Sequence, residues 1–442
     1  MSAKIDQVVI GLGKSGYSVV EFLARAGLKV LAMDTREQPP YLERVKEHYS
    51  NVDVVTGGLQ KEVLLEANRI VLSPGVALST PEIQCALKAG VEVVGDIQIF
   101  ADHAKAPIVA ITGSNAKSTV TTLVGEMAKD AGLNVAIGGN LGTPALELLD
   151  PSVDLYVMEL SSFQLETTPN LGAKVATVLN VSPDHLDRYE SYEAYWQAKH
   201  AVFNGCETAI VNLEDELSAP KDLSIKQIGF SLRAPSELNY GIVSHGEEDF
   251  LAIDHQALMK VDELKIKGSH NRSNALAALA IGQAAGLSLD SMITTLRDFP
   301  GLEHRCQWVR RVDGVDYFND SKGTNVGATE AALIGLSSDV KGSIILMAGG
   351  DGKGADFGYL KGALSQVRVV IAYGRDQEKI ESQLSQSVSV LRASTFEEAF
   401  NMASQQATPG DAVLLSPACA SFDMFNSFEH RGQVFMSLVE AL

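Results

Sequence analysis

Short apolar runs recur along this chain, and most are followed by a longer stretch with the spacing of an amphipathic helix. That alternation constrains the fold more than any other feature. Strand–helix–strand connections are crossovers, and crossovers lay successive strands parallel in one sheet with helices on its faces. The expected class is α/β with largely parallel sheets. The first instance predicts a strand over Gln7–Ile10, a turn carrying Gly11, Gly13 and Gly16, a helix over Tyr17–Ala26 and a strand over 29–33 that ends at Asp34. This is a Rossmann-like start. Further strands are expected at 52–55, at 69–72 (ending in Ser73, Pro74 and Gly75), and at 91–94, 107–112, 155–158 and 176–179. In the last third, Asp313 and Gly314 form a hairpin turn pair between two strand-like runs. Strands then recur at 343–347, 367–373, 388–391 and 412–415. A chain of 442 residues has room for about three domains. The boundaries read near 95 and 300, giving domains 1–94, 95–300 and 301–442.

The formal net charge of −19 argues against a general nucleic-acid or acidic-membrane binder, because neutralising phosphates needs clustered Lys and Arg. An anionic substrate has to be held by local sites against that overall charge. No apolar run approaches the roughly 20 residues of a membrane span, and the N-terminus enters a strand without a signal-peptide-like apolar stretch. Cys85, Cys206, Cys306 and Cys419 lie far apart without metal-ligand spacing. They read as reduced packing cysteines, and the expected location is the cytoplasm.

Chemistry concentrates first at Gly113, Ser114, Asn115, Ala116, Lys117, Ser118 and Thr119, between the 107–112 strand and a helix predicted over 120–129. A tight loop at a helix N-terminus presents amides and the positive dipole end to an anion. Lys117 can reach the outer phosphates of a nucleotide, and the hydroxyl of Ser118 or Thr119 can hold Mg²⁺. The general pattern asks for Gly where Ile111 and Ala116 stand, so the motif alone is weak. Glu159 ends a predicted strand, where a carboxylate can share that Mg²⁺ or simply face solvent. His185 follows another strand end, in the company of Asp184 and Asp187. By itself the Gly11, Gly13 and Gly16 fingerprint, with Asp34 on a ribose, would suggest a dehydrogenase. A second phosphate-type loop is something hydride transfer does not need. Two such loops fit better with joining a nucleotide-tagged substrate to another at the expense of ATP.

Nine stretches, in order and spanning essentially the whole chain, then resemble the Mur ligase family of ATP-dependent amide ligases. They are 111–119, 138–142, 159–166, 180–189, 270–275, 301–305, 319–325, 349–353 and 415–421. Within the family they look most like the members that add D-glutamate to UDP-N-acetylmuramoyl-L-alanine through an acyl phosphate and a tetrahedral intermediate. The resemblance implies an N-terminal Rossmann-like domain for the UDP moiety and a central P-loop ATPase-like domain. It also implies a C-terminal Rossmann-like domain that binds the amino acid and closes over ATP.

Residue by residue, the resemblance implies that Lys117 neutralises ATP phosphates, and that Ser118 or Thr119 with Glu159 holds one Mg²⁺. It implies a second Mg²⁺ on His185 and on Lys199, the latter carbamylated by CO₂ into an oxygen ligand. Sequence alone reads Lys199 as an exposed helix lysine. Asn271, Asn274, His304, Arg305, Asp320 and Lys322 match ATP contacts. Ser15, Asp34, Thr35, Arg36, Ser73, Gly75, Asn140, Ser161 and His185 match the UDP-substrate side. The plain alternative for Asp34 and Arg36 is a surface ion pair, usually worth little. Thr324, Lys353, Ser421 and Phe428 match a D-glutamate pocket, with core packing an equal reading for Phe428. Ala116 departs from the family's glycine, and a Cβ there is strained if the backbone needs φ > 0. Cys306 and Gly323 are further differences given no functional weight. A monomer is expected. Another Mur-family or folylpolyglutamate-type ligase, or a non-catalytic nucleotide-binding relative, are the alternatives.

Overall fold

A computed structural model describes residues 6–184, 188–337 and 339–442. The chain divides into two compact units. One is Met1–Val243 with Ala252–Leu258 and Leu276–Thr295, and the other is Ser244–Leu251 with Met259–Ala275 and Leu296–Leu442.

The first unit opens with a sheet of β1 (Gln7–Ile10), β2 (Val30–Asp34), β3 (Asp53–Thr56), β4 (Arg69–Leu72) and β5 (Glu92–Val94), in the order β3-β2-β1-β4-β5. All its pairings are parallel, and Ile10 stands opposite both Met33 and Leu72. Connections leave β1 and β4 toward opposite edges, so the carboxyl ends of these two strands frame the crevice where such sheets bind ligands. The helix after β1 is Lys14–Arg25 and begins before the predicted Tyr17. The reason is Gly16, which lies inside the first turn. A Cβ there would sit 1.7 Å from the Gly11 carbonyl oxygen, so close packing of helix on loop demands glycine.

The second sheet holds β6 (Ile108–Thr112), β7 (Val135–Gly139), β8 (Leu155–Glu159), β9 (Val175–Val178), β10 (Thr208–Asn212), β11 (Lys226–Phe230), β12 (Tyr240–His245), β13 (Glu248–Ile253) and β14 (Gln256–Lys260). Its order is β14-β13-β12-β11-β10-β9-β6-β8-β7, and the division between units runs through β12–β14. Strand β6 lies between β8 and β9, parallel to both, with Ile111 opposite Glu159 and Thr112 opposite Val178. The loops after β6, β8 and β9 therefore emerge together. Strands β7 and β10–β14 lie outside the sequence expectation. In β7 two closing glycines weaken the strand signal, and β11 enters with two exposed polar residues, Lys226 and Gln227. Within this unit the helix Asp96–His103 joins the two sheets. One buried cluster runs from Val9 and Val20 through Ile97 and Phe100 to Ala110 and Tyr156. Phe100 meets Tyr156 edge-on at 5.0 Å, a contact worth about 1 kcal/mol beyond its buried area.

The second unit is built on β15 (Gln307–Val312), β16 (Val315–Asn319), β17 (Ile344–Gly349), β18 (Val367–Tyr373), β19 (Ser389–Ala393) and β20 (Ala412–Leu415), in the order β15-β16-β20-β17-β18-β19. The hairpin β15–β16 is antiparallel, turning through Asp313 and Gly314 at φ 49° and 81°, which suits the right-handed twist of its strands. The other pairings are parallel, and Leu415 faces Asn319 on one side and Met347 on the other. Apolar clusters cover both faces of this sheet. Among the described residues no helix is long and apolar enough to cross a membrane.

Candidate active site

The loop after β6 holds a non-glycine residue in left-handed backbone. Ala116 is the N-cap of the helix Lys117–Asp130 at φ 66° and ψ −7°, a left-handed conformation. An L-residue there costs roughly 1–2 kcal/mol. The helix carries no side-chain cap and no acid in its first turn, so its positive dipole end stays available to an anion. The loop is pinned from below by Asn180 just past β9. Its carbonyl accepts from the Ser114 amide (2.9 Å), and its Oδ1 accepts from the Asn115 amide (2.8 Å). Those two amides are thus committed to the scaffold. Lys117 lies back on its own loop, donating to the carbonyls of Gly113 (2.7 Å) and Ser114 (2.9 Å). Ser118 and Thr119 are buried beneath it.

Beside the loop sit two groups whose burial calls for compensation. Glu159, the last residue of β8 as the sequence places it, is buried. Its Oε1 accepts from the Asn140 amide group at 2.7 Å, while its Oε2 is buried without a hydrogen-bond partner. An orphaned carboxylate oxygen is costly and is well matched to a cation. Lys199, on the helix Tyr192–His200, is only 2% exposed, which corrects its reading as an exposed helix lysine. It donates to the Gly113 carbonyl at 3.0 Å and lies 4.5 Å from the Tyr195 ring centroid. Burial, reinforced by the charge on Lys117 and opposed by Asp184, pushes its pKa down to about 6. His185, with its neighbour Asp187, lies outside the described residues. Among the described residues no group of three or more His, Cys, Asp and Glu forms a metal cluster.

At the β1–β4 crevice, Asp34 is nearly fully buried and accepts from the Leu12 amide (2.7 Å), the Arg36 amide (2.9 Å) and the Arg36 guanidinium (2.9 and 2.7 Å). Asp34 is a built carboxylate, which corrects the surface reading for it, while its partner Arg36 does lie at the surface. Burial raises its pKa, but the bonds to Arg36 and Leu12 win and hold it below the usual carboxylate range. Thr35 is exposed beside it, Ser15 is partly exposed on the first helical turn, and Ser73 and Gly75 lie in the turn after β4. Lys14 spans from this loop to the Gly142 carbonyl at 2.6 Å, reaching the stretch that carries Asn140. Ser161 caps the helix Ser162–Leu165 through a reciprocal box with Gln164.

The second unit gathers its own set. Asn274 donates to Asn271 (3.1 Å) at the start of the helix Ser269–Ala285. After β16, Asp320 is buried, with Oδ1 accepting from the Cys306 amide (3.0 Å) and Oδ2 from the Ser416 hydroxyl (2.7 Å). Burial pushes its pKa up to about 6, with Ser416, Cys306, Arg305 and Arg431 pulling the other way. Burial lowers the pKa of His304. The Asn319 amide group donates to its Nδ1 (2.9 Å) and also to the Gly432 carbonyl (3.2 Å), which leaves the ring proton on Nε2. Phe428, first residue of the helix Phe428–Glu440, meets the His304 ring edge-on at 6.2 Å and lies under the Lys322 ammonium at 5.3 Å. Thr324 and Lys353 are exposed and Ser421 is buried. The bridge between Asp351 and Ala420 holds the last two loops side by side.

Residues 5–95, 111–282 and 304–419 match, in order, models of the Mur ligase MurD-like N-terminal domain, the Mur ligase middle domain and the Mur ligase glutamate ligase domain. Over 438 residues the chain is 54% identical to the UDP-N-acetylmuramoylalanine–D-glutamate ligase of Pseudomonas fluorescens strain Pf-5, covering 99% of this chain and 98% of that protein. The same enzyme of Pseudomonas aeruginosa PAO1 is 52% identical with the same coverage. The chain belongs to the Mur ligase family. Its fold is similar to that of MurF from Acinetobacter baumannii, with a TM-score of 0.62 at 18% identity over 99% of this chain and 91% of that one. MurC from Thermotoga maritima gives 0.59 at 17% identity, over 99% of both chains. Three α/β domains with mostly parallel sheets are what this Mur ligase shares with them.

Two residues passed over in the sequence turn out to shape the second set. A Cβ on Gly323 would meet Asp320 Oδ2 at 2.6 Å and Ser416 Oγ at 2.9 Å. Cys306, at φ 45°, supplies an amide to Asp320. Neither has a sequence signal, since each acts through backbone placement rather than side-chain chemistry. Arg431, fully buried, donates to Ser321 Oγ (2.9 Å), the Ser321 carbonyl (2.7 Å) and the Cys419 carbonyl (3.2 Å). A fully buried arginine held by two backbone carbonyls and a serine hydroxyl is not foreseeable from sequence.

Proposed function

We propose that this Mur ligase joins D-glutamate to UDP-N-acetylmuramoyl-L-alanine at the expense of ATP, in the synthesis of peptidoglycan precursors. The observation that carries this reading is the 54% identity with a D-glutamate ligase across 99% of the chain. The geometry around Gly113 supports the chemistry.

A carboxylate is a poor acyl donor. In the proposed reaction an oxygen of the alanyl carboxylate attacks the γ-phosphorus of ATP, the bond to ADP breaks and an acyl phosphate forms. The amine of D-glutamate then attacks the carbonyl carbon and loses a proton, and the tetrahedral intermediate expels inorganic phosphate. Phosphoryl transfer asks the protein for positioning and charge neutralisation. Lys117 leaves its own loop carbonyls to meet the phosphates, and the dipole end of Lys117–Asp130 adds to that charge. Mg²⁺, when bound, neutralises further triphosphate charge. The unpartnered Oε2 of Glu159 suits one ion, shared with Ser118 or Thr119. We assign a second ion to His185 and to Lys199 as its carbamate, since a buried neutral amine is the form that captures CO₂.

The reading gives 1–94 to the UDP moiety through Ser15, Asp34, Thr35, Arg36, Ser73 and Gly75, with Asn140 and Ser161 at the muramoyl end. It gives 95–300 to ATP, and 301–442 to D-glutamate through Thr324, Lys353, Ser421 and Phe428. His304, Arg305, Asp320 and Lys322, with Asn271 and Asn274, complete the ATP contacts. We place the protein in the cytoplasm, as a monomer. The test is phosphate release by pure protein given ATP and Mg²⁺. Release should require both UDP-N-acetylmuramoyl-L-alanine and D-glutamate. Equal turnover with L-glutamate or a diamino acid, or none with D-glutamate, would refute the assignment.

A further inference from the structure

We infer that Arg188 is a positioning residue that ties the loops for the UDP-sugar to the segment that handles phosphoryl transfer, an inference that rests on the function proposed above. Arg188 follows the Asn180 stretch after β9. Its guanidinium donates to the carbonyls of Pro74 (2.7 Å) and Val76 (3.3 Å), in the turn after β4. The same group lies 3.9 Å from the Phe163 ring centroid and 3.5 Å from Glu166. Phe163 belongs to the short helix capped by Ser161, two residues beyond Glu159, and Glu166 follows it. The Arg188 and Glu166 side chains are only 16% and 15% exposed.

The connection continues on the nucleotide side. A Cβ built on Gly11 would lie 2.8 Å from Ser73 Cβ and 3.2 Å from Val76 Cγ2, so the 73–76 turn packs directly on the first glycine loop. Packed atoms thus run from Gly11 through the turn and Arg188 to the helix beside Ser161 and Glu159. The planar guanidinium does three things at once: it forks to two carbonyls, stacks on a ring and pairs with an acid. A lysine ammonium can do only part of this. Arg188 itself reaches neither crevice strand nor phosphate loop, so its effect passes through the groups it holds. Fixing the distance between the two ends decides where the alanyl carboxylate of a UDP-anchored substrate arrives, and misplacement by about 1 Å costs heavily in such reactions.

The test uses the full chain with Arg188→Gln, Arg188→Lys and Phe163→Leu. Calorimetric binding of UDP-N-acetylmuramoyl-L-alanine is measured without ATP, alongside KM for each substrate and the melting temperature. Losing the charged hydrogen bonds should raise Kd and KM for the nucleotide-sugar about tenfold in Arg188→Gln, with smaller rises in the other two and KM for ATP held within about twofold. Arg188→Lys keeps charge and length, and so remains informative where Arg188→Gln does not fold. Unchanged nucleotide-sugar affinity overturns the inference. So do equal rises in both KM values with a lowered melting temperature. A wild-type chain that binds no UDP-N-acetylmuramoyl-L-alanine refutes the function instead.

Discussion

Lys117 and Lys199 share one acceptor, the carbonyl oxygen of Gly113, at 2.7 and 3.0 Å. Two ammonium groups converging on one oxygen, one of them buried, repel each other strongly. Lys199 yields, with its pKa lowered to about 6 by burial and then by Lys117. At neutral pH it is an uncharged amine, whereas an ordinary exposed lysine is almost wholly protonated.

Carbon dioxide capture should follow from that neutrality. Protein equilibrated with ¹³C-bicarbonate near pH 8 is expected to show a carbamate carbon resonance that Lys199→Arg lacks. Protonation removes the nucleophile, so the signal fades as pH falls through about 6. Lys117→Met removes the repelling charge, raises the Lys199 pKa and moves the midpoint of that fade upward. A wild-type spectrum without the resonance at pH 8 would end this prediction.

Ala116→Gly should relieve the left-handed N-cap. The strain is offset by the greater unfolded-state freedom of glycine, leaving a net gain of about 0.5–1 kcal/mol. The melting temperature should rise and kcat/KM for ATP should increase, since the loop no longer holds an L-residue in strained backbone. An unchanged or lower kcat/KM would show that the alanine costs the reaction nothing.

Gly323→Ala should fail for a steric reason alone, since Gly323 is not among the positive-φ residues. Its Cβ would press on the carboxylate of Asp320 and the hydroxyl of Ser416. Displacing them should cost about 1–3 kcal/mol in stability and weaken ATP use. Gly362→Ala is the control, because a Cβ there meets nothing within 4 Å. Equal melting temperatures for the two variants would contradict the steric account.

Asp96 predicts a pH-dependent stability effect away from the reacting groups. Burial pushes its pKa up to about 6 from 3.8, against the pull of the Ile97 amide and Gln164. A folded-state value above the unfolded one means that the stabilising contribution is full below about 3.8 and is lost as pH rises through about 6. Asp96→Asn should therefore be more stable than wild type near pH 8, by on the order of 2 kcal/mol. The advantage should vanish below pH 4. Denaturant unfolding at both values checks it, and a gain independent of pH would refute it.

Local chemistry made much of this legible. The Asp313–Gly314 turn, strands Val367–Tyr373 and Ala412–Leu415, and the Rossmann-like start follow from turn residues and apolar runs acting over a few positions. The candidate loop at Gly113 was visible because Lys117 and its hydroxyl neighbours lie together in the chain. The helix starts at Lys14 and Lys117 were not visible, because they depend on what packs against the first turn. Lys199 was misread for the same reason: nothing within one turn of it in the sequence announces a buried ammonium.

Sequence alone determined the α/β class, the phosphate-loop chemistry and the family, because periodicity and motifs are carried by neighbouring residues. Tertiary structure decided which carboxylate oxygen of Glu159 is left without a partner, that burial lowers the Lys199 pKa to about 6, and that Arg188 reaches Pro74. Each of these depends on desolvation or on contacts between segments far apart in the chain, and the Arg188–Pro74 pair alone is separated by 114 residues. Burial and long-range contact exist only after the sheets have assembled, and they lower the Lys199 pKa and fix where Glu159 and Arg188 sit.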